Sequence, residues 1–411
     1  MMASLNTAGW TASEPDDADL IIINSCGFIE SAKRESINAV LAWRKQYPDK
    51  KILLAGCLSQ RYGDELKEAL PEADRMFGNS DLAGIAAAAA AATSATATAP
   101  TPVIKTGERP LLSLPGSAYV KISEGCDNRC SYCAIPLIRG NLKSRDISDI
   151  ADECKALLGR GIRELCIVGQ DIGSYGNDKS CVNLPKLLQK ISRLKGNFWV
   201  RLLYIHPDHF PFPVLDLMKE DGRFLHYFDL PFQHGSEKIL RLMNRKGSAS
   251  QYLDLVGTIR KCFPDSVIRS TFLTGFPGET EDDFRALLDF QEKACLDWAG
   301  CFAYSREEDT PAWSMKPRVS KKTALERKKI IEERQVQITE KRMDRFIGME
   351  FDALAEEKVE GEELWLGRLP FQAPEVDGAA VIETDGDLQP GCFFRGKVFA
   401  RAGLDLRVVP V

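Results

Sequence analysis

Three cysteines stand close together in "SEGCDNRCSYCAIPLIRG", residues 123–140: Cys126, Cys130 and Cys133. The gaps are three residues and then two. A structural zinc site or a simple iron–sulfur site takes four protein ligands. Three thiolates suit a [4Fe–4S] cluster with one iron left open to a substrate or cofactor, and an open position is what makes a metal centre catalytic rather than structural. The plain alternative is a zinc site completed by a distant cysteine. Tyr132 sets an aromatic ring beside the last thiol. Two further cysteines follow apolar runs, Cys26 in "IIINSCGFIESAKRES" and Cys57 in "ILLAGCLSQRY". Both read as ends of parallel strands, where ligand sites gather in open α/β sheets. Buried thiols that only pack are the alternative for these two.

Other polar groups collect at apparent strand ends. "CIVGQDIGSYG" offers Gly169, Gln170 and Asp171, which suit a cofactor's ribose or amino group or simply form a loop. "RSTFLTGFPGETEDDF" offers close backbone approach at Gly275 and Gly278, and Thr280 as a helix N-cap. Arg201 in "WVRLLY" and Gln233–His234 in "PFQHGS" are expected at the same mouth. The four histidines, His206, His209, His226 and His234, are too scattered to suggest a metal site of their own.

The elements that must hold these groups come from the hydrophobic pattern. "ADLIIINSC" reads as a buried strand followed by a helix, "SAKRESINAVLAWRKQ", and "KKILLAGCLSQRYGDELKEAL" repeats the unit. That alternation predicts a small α/β domain with a parallel sheet over residues 1–83. "GIAAAAAAATSATATAPTP" follows: its alanine start extends a helix, and the remainder reads as linker within 84–114. Strands are predicted at "AYVKIS", "ELCIVGQ", "FWVRLLYI", "YFDLPF", "VIRSTFLTG" and "AGCFAYS", with amphipathic segments between most of them. Such βα units across 115–341 predict a partial (β/α) barrel with its chemistry at the carboxyl strand ends. A charged helix, "KKTALERKKIIEERQVQITEKRMDRF", leads to β-type runs over 342–411 that predict a small all-β barrel.

Composition narrows the class. The 411 residues are 44% hydrophobic and 27% charged, ordinary for a globular protein. No apolar run reaches the roughly 18 residues of a membrane span, and "MMASLNTAGW" lacks the pattern of a secretory signal. The expected location is therefore cytoplasmic, where twelve cysteines read as metal or redox ligands and buried thiols rather than disulfides. A formal net charge of −5 argues against binding nucleic acid by bulk attraction.

C-x3-C-x-aromatic-C at the head of a βα barrel resembles the radical S-adenosylmethionine enzymes. "NSCGFIESAKRES", "GCLSQRY", "VGQDIGSYG", "PFQHGS", "STFLTGFPGETEDDF" and "APEVDG" together resemble their methylthiotransferase branch over nearly the entire chain. The resemblance implies two [4Fe–4S] clusters and S-adenosylmethionine as cofactors. Cys126, Cys130 and Cys133 would hold the radical-generating cluster, whose open iron takes the cofactor's methionine end. Cys26 and Cys57 would hold an auxiliary cluster; the family's third auxiliary ligand lies in an N-terminal segment absent from this sequence, so either the start is truncated or misassigned or the auxiliary cluster is incomplete. Tyr132, Gly169, Gln170, Asp171, Arg201, Gln233 and Gly275 would line the cofactor site. The C-terminal barrel would be a TRAM domain. Cys154, Cys166, Cys181, Cys262, Cys295, Cys301 and Cys392 match no family ligand and are expected to be buried thiols.

The substrate cue is local. Related enzymes place a methylthio group on a modified adenosine in tRNA or on an aspartate of a ribosomal protein. "CGFIESAKRES" and "APEVDG" resemble the protein-modifying branch. Over residues 345–411 thirteen Asp/Glu face seven Lys/Arg, a net −6. A tRNA-docking module should be basic, whereas an acidic one suits a basic protein of the small ribosomal subunit. Acidity for solubility alone is the alternative. The implied partners are that ribosomal protein and an electron donor, with no membrane and no tRNA. A non-catalytic iron–sulfur or zinc scaffold is the alternative from another class.

Overall fold

A computed structural model describes residues 1–79, 82–93 and 109–411. Of the expected linker 84–114, residues 94–108 lie outside the described residues. The chain divides into two compact units.

The first unit comprises Met1–Leu111, Gly125–Asn141 and Ser305–Trp313. Its sheet is parallel, in the order β1 (Leu20–Ser25), β2 (Lys51–Gly56), β3 (Arg75–Phe77). The central strand is apolar on both faces, as a covered parallel strand must be. Ile52 and Leu54 pack with Val40, Leu58 and Leu66 of the helices Glu30–Gln46 and Cys57–Ala69. Leu53 and Ala55 point the other way and pack on Ile85 and Ala89. The alanine run thus forms a helix, Ile85–Thr93, that covers the sheet's second face. The expected strand–turn–helix after β2 has no turn: the helix starts at Cys57 itself.

The second unit comprises Leu112–Glu124, Leu142–Tyr304 and Ser314–Val411. β4 (Ser117–Lys121) leads to a short antiparallel pair, β5 (Ser123–Glu124) and β6 (Lys143–Ser144). β4 pairs in parallel with β7 (Glu164–Val168), and β7 with β8 (Trp199–Leu202). β9 (Tyr227–Asp229), β10 (Val267–Thr274) and β11 (Trp298–Ala303) form a second parallel set. A parallel bridge between Val200 and Phe224 connects the two sets. Helices Ile147–Gly159, Leu184–Ser192, Pro213–Glu220, Ala249–Cys262 and Glu281–Ala294 fall between the strands. All six predicted strands are present, and the mixed α/β barrel architecture stands.

Helix Lys321–Met343 leads into a closed five-stranded barrel, order β12 (Glu350–Lys358), β13 (Leu364–Arg368), β14 (Ala380–Glu383), β16 (Asp405–Pro410), β15 (Phe393–Ala402). Its core is continuous with the βα unit. Trp199, Tyr227, Val267 and Trp298, the first residues of β8, β9, β10 and β11, pack with Met343, Phe346, Leu354, Trp365 and Val408. The small barrel therefore covers the amino-terminal strand ends and leaves the carboxyl ends for chemistry.

Candidate metal and cofactor centre

Local chemistry shapes the three-cysteine loop. Gly125 has φ 71°, and a Cβ there would lie 2.1 Å from the Asn141 carbonyl oxygen, so only glycine fits. This close approach brings the two loop ends together, and the Cys126 N–H donates to the Gly140 carbonyl at 3.2 Å. The Cys133 N–H closes a turn on the Cys130 carbonyl at 3.0 Å. Arg129, at φ 53°, is anchored by Nη2 to Asn141 Oδ1 at 2.6 Å. The three thiols are half-buried and free of disulfides. Among the described residues no group of three or more His, Cys, Asp or Glu stands drawn together around a metal position. The fit of the loop to an iron–sulfur group rests on its donor set: three thiols on one pinned loop, none in a disulfide.

The other two cysteines lie in the same unit. Ser25 and Gly56 are register partners, so Cys26 and Cys57 are the next residues on adjacent strand ends. Gly27 packs directly on the Cys57 carbonyl. Cys26 is exposed, and its N–H donates to Ser36 Oγ at 3.1 Å. Cys57 opens its helix rather than ending the strand. Its Sγ receives Asn79 Nδ2 at 3.1 Å and Arg139 Nη2 at 3.2 Å. Neither Asn79 nor Arg139 was singled out by spacing, although Arg139 sits within the quoted cysteine motif.

In the second unit the carboxyl strand ends carry the remaining candidates. Gln170 Oε1 is buried and has no hydrogen-bond partner among the described residues, an acceptor suited to an ammonium group. Ser123 Oγ is likewise unpartnered, and a Cβ on Gly169 would lie 2.8 Å from it. Asp171 acts differently. Its carboxylate accepts from the Gly173 N–H at 3.0 Å, Ser174 Oγ at 2.6 Å and the His206 N–H at 3.0 Å. It therefore shapes the loop beside Gln170. Gln233 adopts φ 69°, with its N–H on the Thr271 carbonyl at 2.8 Å. Thr280 caps its helix with Asp283 in a reciprocal capping box.

Gly275, just past the end of β10, keeps to the strand ends, whereas Arg201 departs from the expected mouth. Gly275 is a glycine because helix Lys321–Met343 passes close: a Cβ would fall 2.2 Å from that of Ala324. Arg201 is fully buried, and its Nε donates to Glu164, the first residue of β7, at 2.7 Å. Its guanidinium carbon lies 4.7 Å from the centre of the Tyr227 ring. Arg201 thus faces the amino-terminal end. Arg368 of β13 reaches the same Glu164 and donates to Ser117 Oγ at 2.7 Å. Burial alone would raise the Glu164 pKa, but Arg201 and Arg368 outweigh it and hold the group down at about 2. Alternation along a strand fixes a face but not which end a long side chain reaches, so the sequence does not show this orientation.

The seven other cysteines divide. Cys154, Cys166 and Cys301 are buried, and burial pushes the Cys154 and Cys301 thiols up to about 12. Cys181 is exposed, and Cys262, Cys295 and Cys392 are half-buried, contrary to expectation. Cys181 and Cys295 take positive φ, at a turn and a helix end, where side chains lose cover.

Comparison with known proteins agrees with this architecture. Family models match "Radical SAM superfamily" over residues 120–290, "Uncharacterized protein family UPF0004" over 1–78 and "TRAM domain" over 347–411. The solved radical S-adenosylmethionine methyltransferase TsrM from Kitasatospora setae shares the fold, with TM-score 0.53 and 16% identity over 76% of this chain and 68% of that one. A relative in Treponema denticola, "Ribosomal protein uS12 methylthiotransferase RimO", is 48% identical over 99% of this chain and 96% of its own length. The protein of that name in Thermotoga maritima is 41% identical over 90% of this chain and 87% of its own. These matches define a radical S-adenosylmethionine enzyme with a TRAM barrel. Within that class, the chain belongs to the RimO family of ribosomal protein uS12 methylthiotransferases.

Proposed function

We propose that this protein attaches a methylthio group to the β-carbon of an aspartate in ribosomal protein uS12, using S-adenosylmethionine and two [4Fe–4S] clusters. The observation that carries the reading is the gathering of five cysteines outside any disulfide, Cys26, Cys57, Cys126, Cys130 and Cys133, in one compact unit of a chain so similar to RimO proteins. Bound iron–sulfur groups supply one-electron cleavage of S-adenosylmethionine and a place to hold sulfur.

The chain's residues do the rest. Cys126, Cys130 and Cys133 bind the radical-generating group, and Tyr132 screens it. Gln170 Oε1 accepts from the cofactor's amino group, Gly169 leaves room, and Asp171 fixes the loop that carries both. Gln233 and Gly275 shape backbone along the same strand ends. Cys26 and Cys57 hold the sulfur-delivering group, with Asn79 and Arg139 fixing the Cys57 sulfur. An electron donor reduces the enzyme. No described helix is long and apolar enough to cross a membrane, which suits a cytoplasmic site of action.

The tRNA reading and the scaffold reading are not favoured: the relatives are named for uS12, and the barrel is acidic. The test is anaerobic reconstitution with uS12 and S-adenosylmethionine, followed by mass spectrometry of the target aspartate. A Cys126→Ala, Cys130→Ala, Cys133→Ala chain should form no 5′-deoxyadenosine. A Cys26→Ala, Cys57→Ala chain should still form it yet leave uS12 unmodified. Cofactor cleavage by the first variant would sink the assignment.

A further inference from the structure

The segment Ser305–Trp313 follows β11 in sequence and belongs to the cysteine-bearing unit. Its bonds reach the helix after Cys26, the helix that Cys57 opens and the three-cysteine loop. Glu307 is buried, and its Oε2 receives Lys33 Nζ and Arg61 Nη1, each at 2.8 Å. Arg61 lies one helical turn beyond Cys57. The same Nη1 reaches the carbonyl of Gly27, the neighbour of Cys26, at 3.1 Å, and its Nη2 reaches the Glu308 carbonyl at 2.6 Å. Ser305 Oγ accepts from the Glu30 N–H at 3.2 Å and donates to Glu307 Oε1 at 2.7 Å. At its far end the Ala312 N–H donates to the carbonyl of Ser131, which lies between Cys130 and Cys133, at 2.9 Å. The Thr310 hydroxyl returns to the Glu307 carbonyl at 2.6 Å and ties the two ends.

A surface ion pair would contribute little here, but this one is enclosed. Arg61 and Glu307 side chains are 5% and 2% exposed, so the pair has little freedom to trade partners with water. Burial works to lower the Lys33 pKa, yet Glu307 beside it prevails and the net shift is upward. One carboxylate therefore fixes two cations, one from each of the helices that follow Cys26 and Cys57.

We infer that Glu307 is a positioning residue: through Lys33 and Arg61 it locks the Cys26–Cys57 edge, and through its segment's bond to Ser131 it sets that edge against the Cys126–Cys133 loop. The inference rests on the proposed reaction. Sulfur must be delivered where the substrate radical forms, so the separation of the two thiol groups decides how many cofactor cleavages end in product. A displacement of order 1 Å is enough to cost about a hundredfold in such a step.

The test uses the full reconstituted chain with Glu307→Gln, which keeps the shape and removes the charge. Three quantities are read: 5′-deoxyadenosine formed, uS12 methylthiolated, and amide exchange of residues 26–33 and 125–141. Cleavage should persist, while 5′-deoxyadenosine per methylthiolated uS12 rises about tenfold or more, with faster exchange in both stretches. Glu307→Asp should recover part of the ratio. A residue that only stabilises the fold would lower both products together and leave the ratio unchanged, and that result would overturn the inference. If Glu307→Gln does not fold, Arg61→Lys carries the same test, because it keeps the charge and loses the fork between Gly27, Glu307 and Glu308. Absence of methylthiolated uS12 in the unaltered chain would instead refute the proposed reaction and is read separately.

Discussion

Tyr227 donates its phenolic hydrogen to Asp377 Oδ2 at 2.7 Å, joining the start of β9 to the loop before β14. Asp377 also accepts from the Ala373 N–H at 2.9 Å, and Arg269 stands 3.6 Å from its other oxygen. It is the aspartate of "APEVDG", so part of that motif serves the junction between barrel and βα unit.

Asp377 predicts a pH effect. Burial raises its pKa to about 6 against an ordinary 3.8. A carboxyl that is raised in the folded state gives stability that is whole below about pH 4 and is lost as pH passes 6. The loss should be about 3 kcal/mol. Asp377→Asn should flatten the thermal midpoint between pH 4.5 and 7; an unchanged slope would show that another group is responsible.

Arg201 should matter for stability rather than for cofactor binding. Replacing it with Leu leaves buried Glu164 with Arg368 and the Ser117 hydroxyl only, and should cost about 3–5 kcal/mol in denaturant unfolding. Affinity for S-adenosylmethionine, measured calorimetrically on folded protein, should stay within about twofold, a difference of about 0.4 kcal/mol. A large selective loss of affinity would return Arg201 to the cofactor site.

Gly125→Ala pushes a methyl against the Asn141 carbonyl and should open the three-cysteine loop. Iron content should fall by about four per chain, the complement of one [4Fe–4S] cluster, and cofactor cleavage should fall with it. Far-ultraviolet circular dichroism should be unchanged. Full iron loading in this variant would refute the close approach.

The acidic barrel should favour a basic protein over tRNA. Titration with uS12 and with tRNA at low and high salt reads this directly. Binding of uS12 should weaken as salt screens the attraction, and tRNA should bind poorly at both. Tight, salt-sensitive tRNA binding would support the adenosine-modifying alternative.

Much of this arrangement is legible in the residues. The apolar runs locate all six βα strands, and the cysteine spacing locates the loop, because both signals are local and periodic. β3 was not read: three residues, "RMF", sit among charged and turn residues. β13, "LWLGR", is hard to read for a similar reason: two glutamates precede it and a proline follows closely. Asp171 is legible, and its hydrogen bonds to Gly173 and Ser174 are local, but its bond to His206 depends on a loop 35 residues further along. Nothing in the local sequence marks Glu307. Its partners lie 274 and 246 residues away in sequence, a separation that no spacing rule reaches.

The ring of Trp199, Tyr227, Val267 and Trp298 bears on how such an enzyme could be re-engineered. A domain on a flexible tether can be exchanged like a tool head. Here the tool and its handle share a single apolar interior. Grafting a barrel that lacks these inward apolar residues and Arg368 would leave Trp199 and Trp298 without cover and Glu164 without one of its two arginines. Redirecting substrate choice therefore calls for repainting the exposed faces of β13 and β14 while leaving their inward residues untouched. Surface charge and architecture are separable in this protein only one side chain at a time.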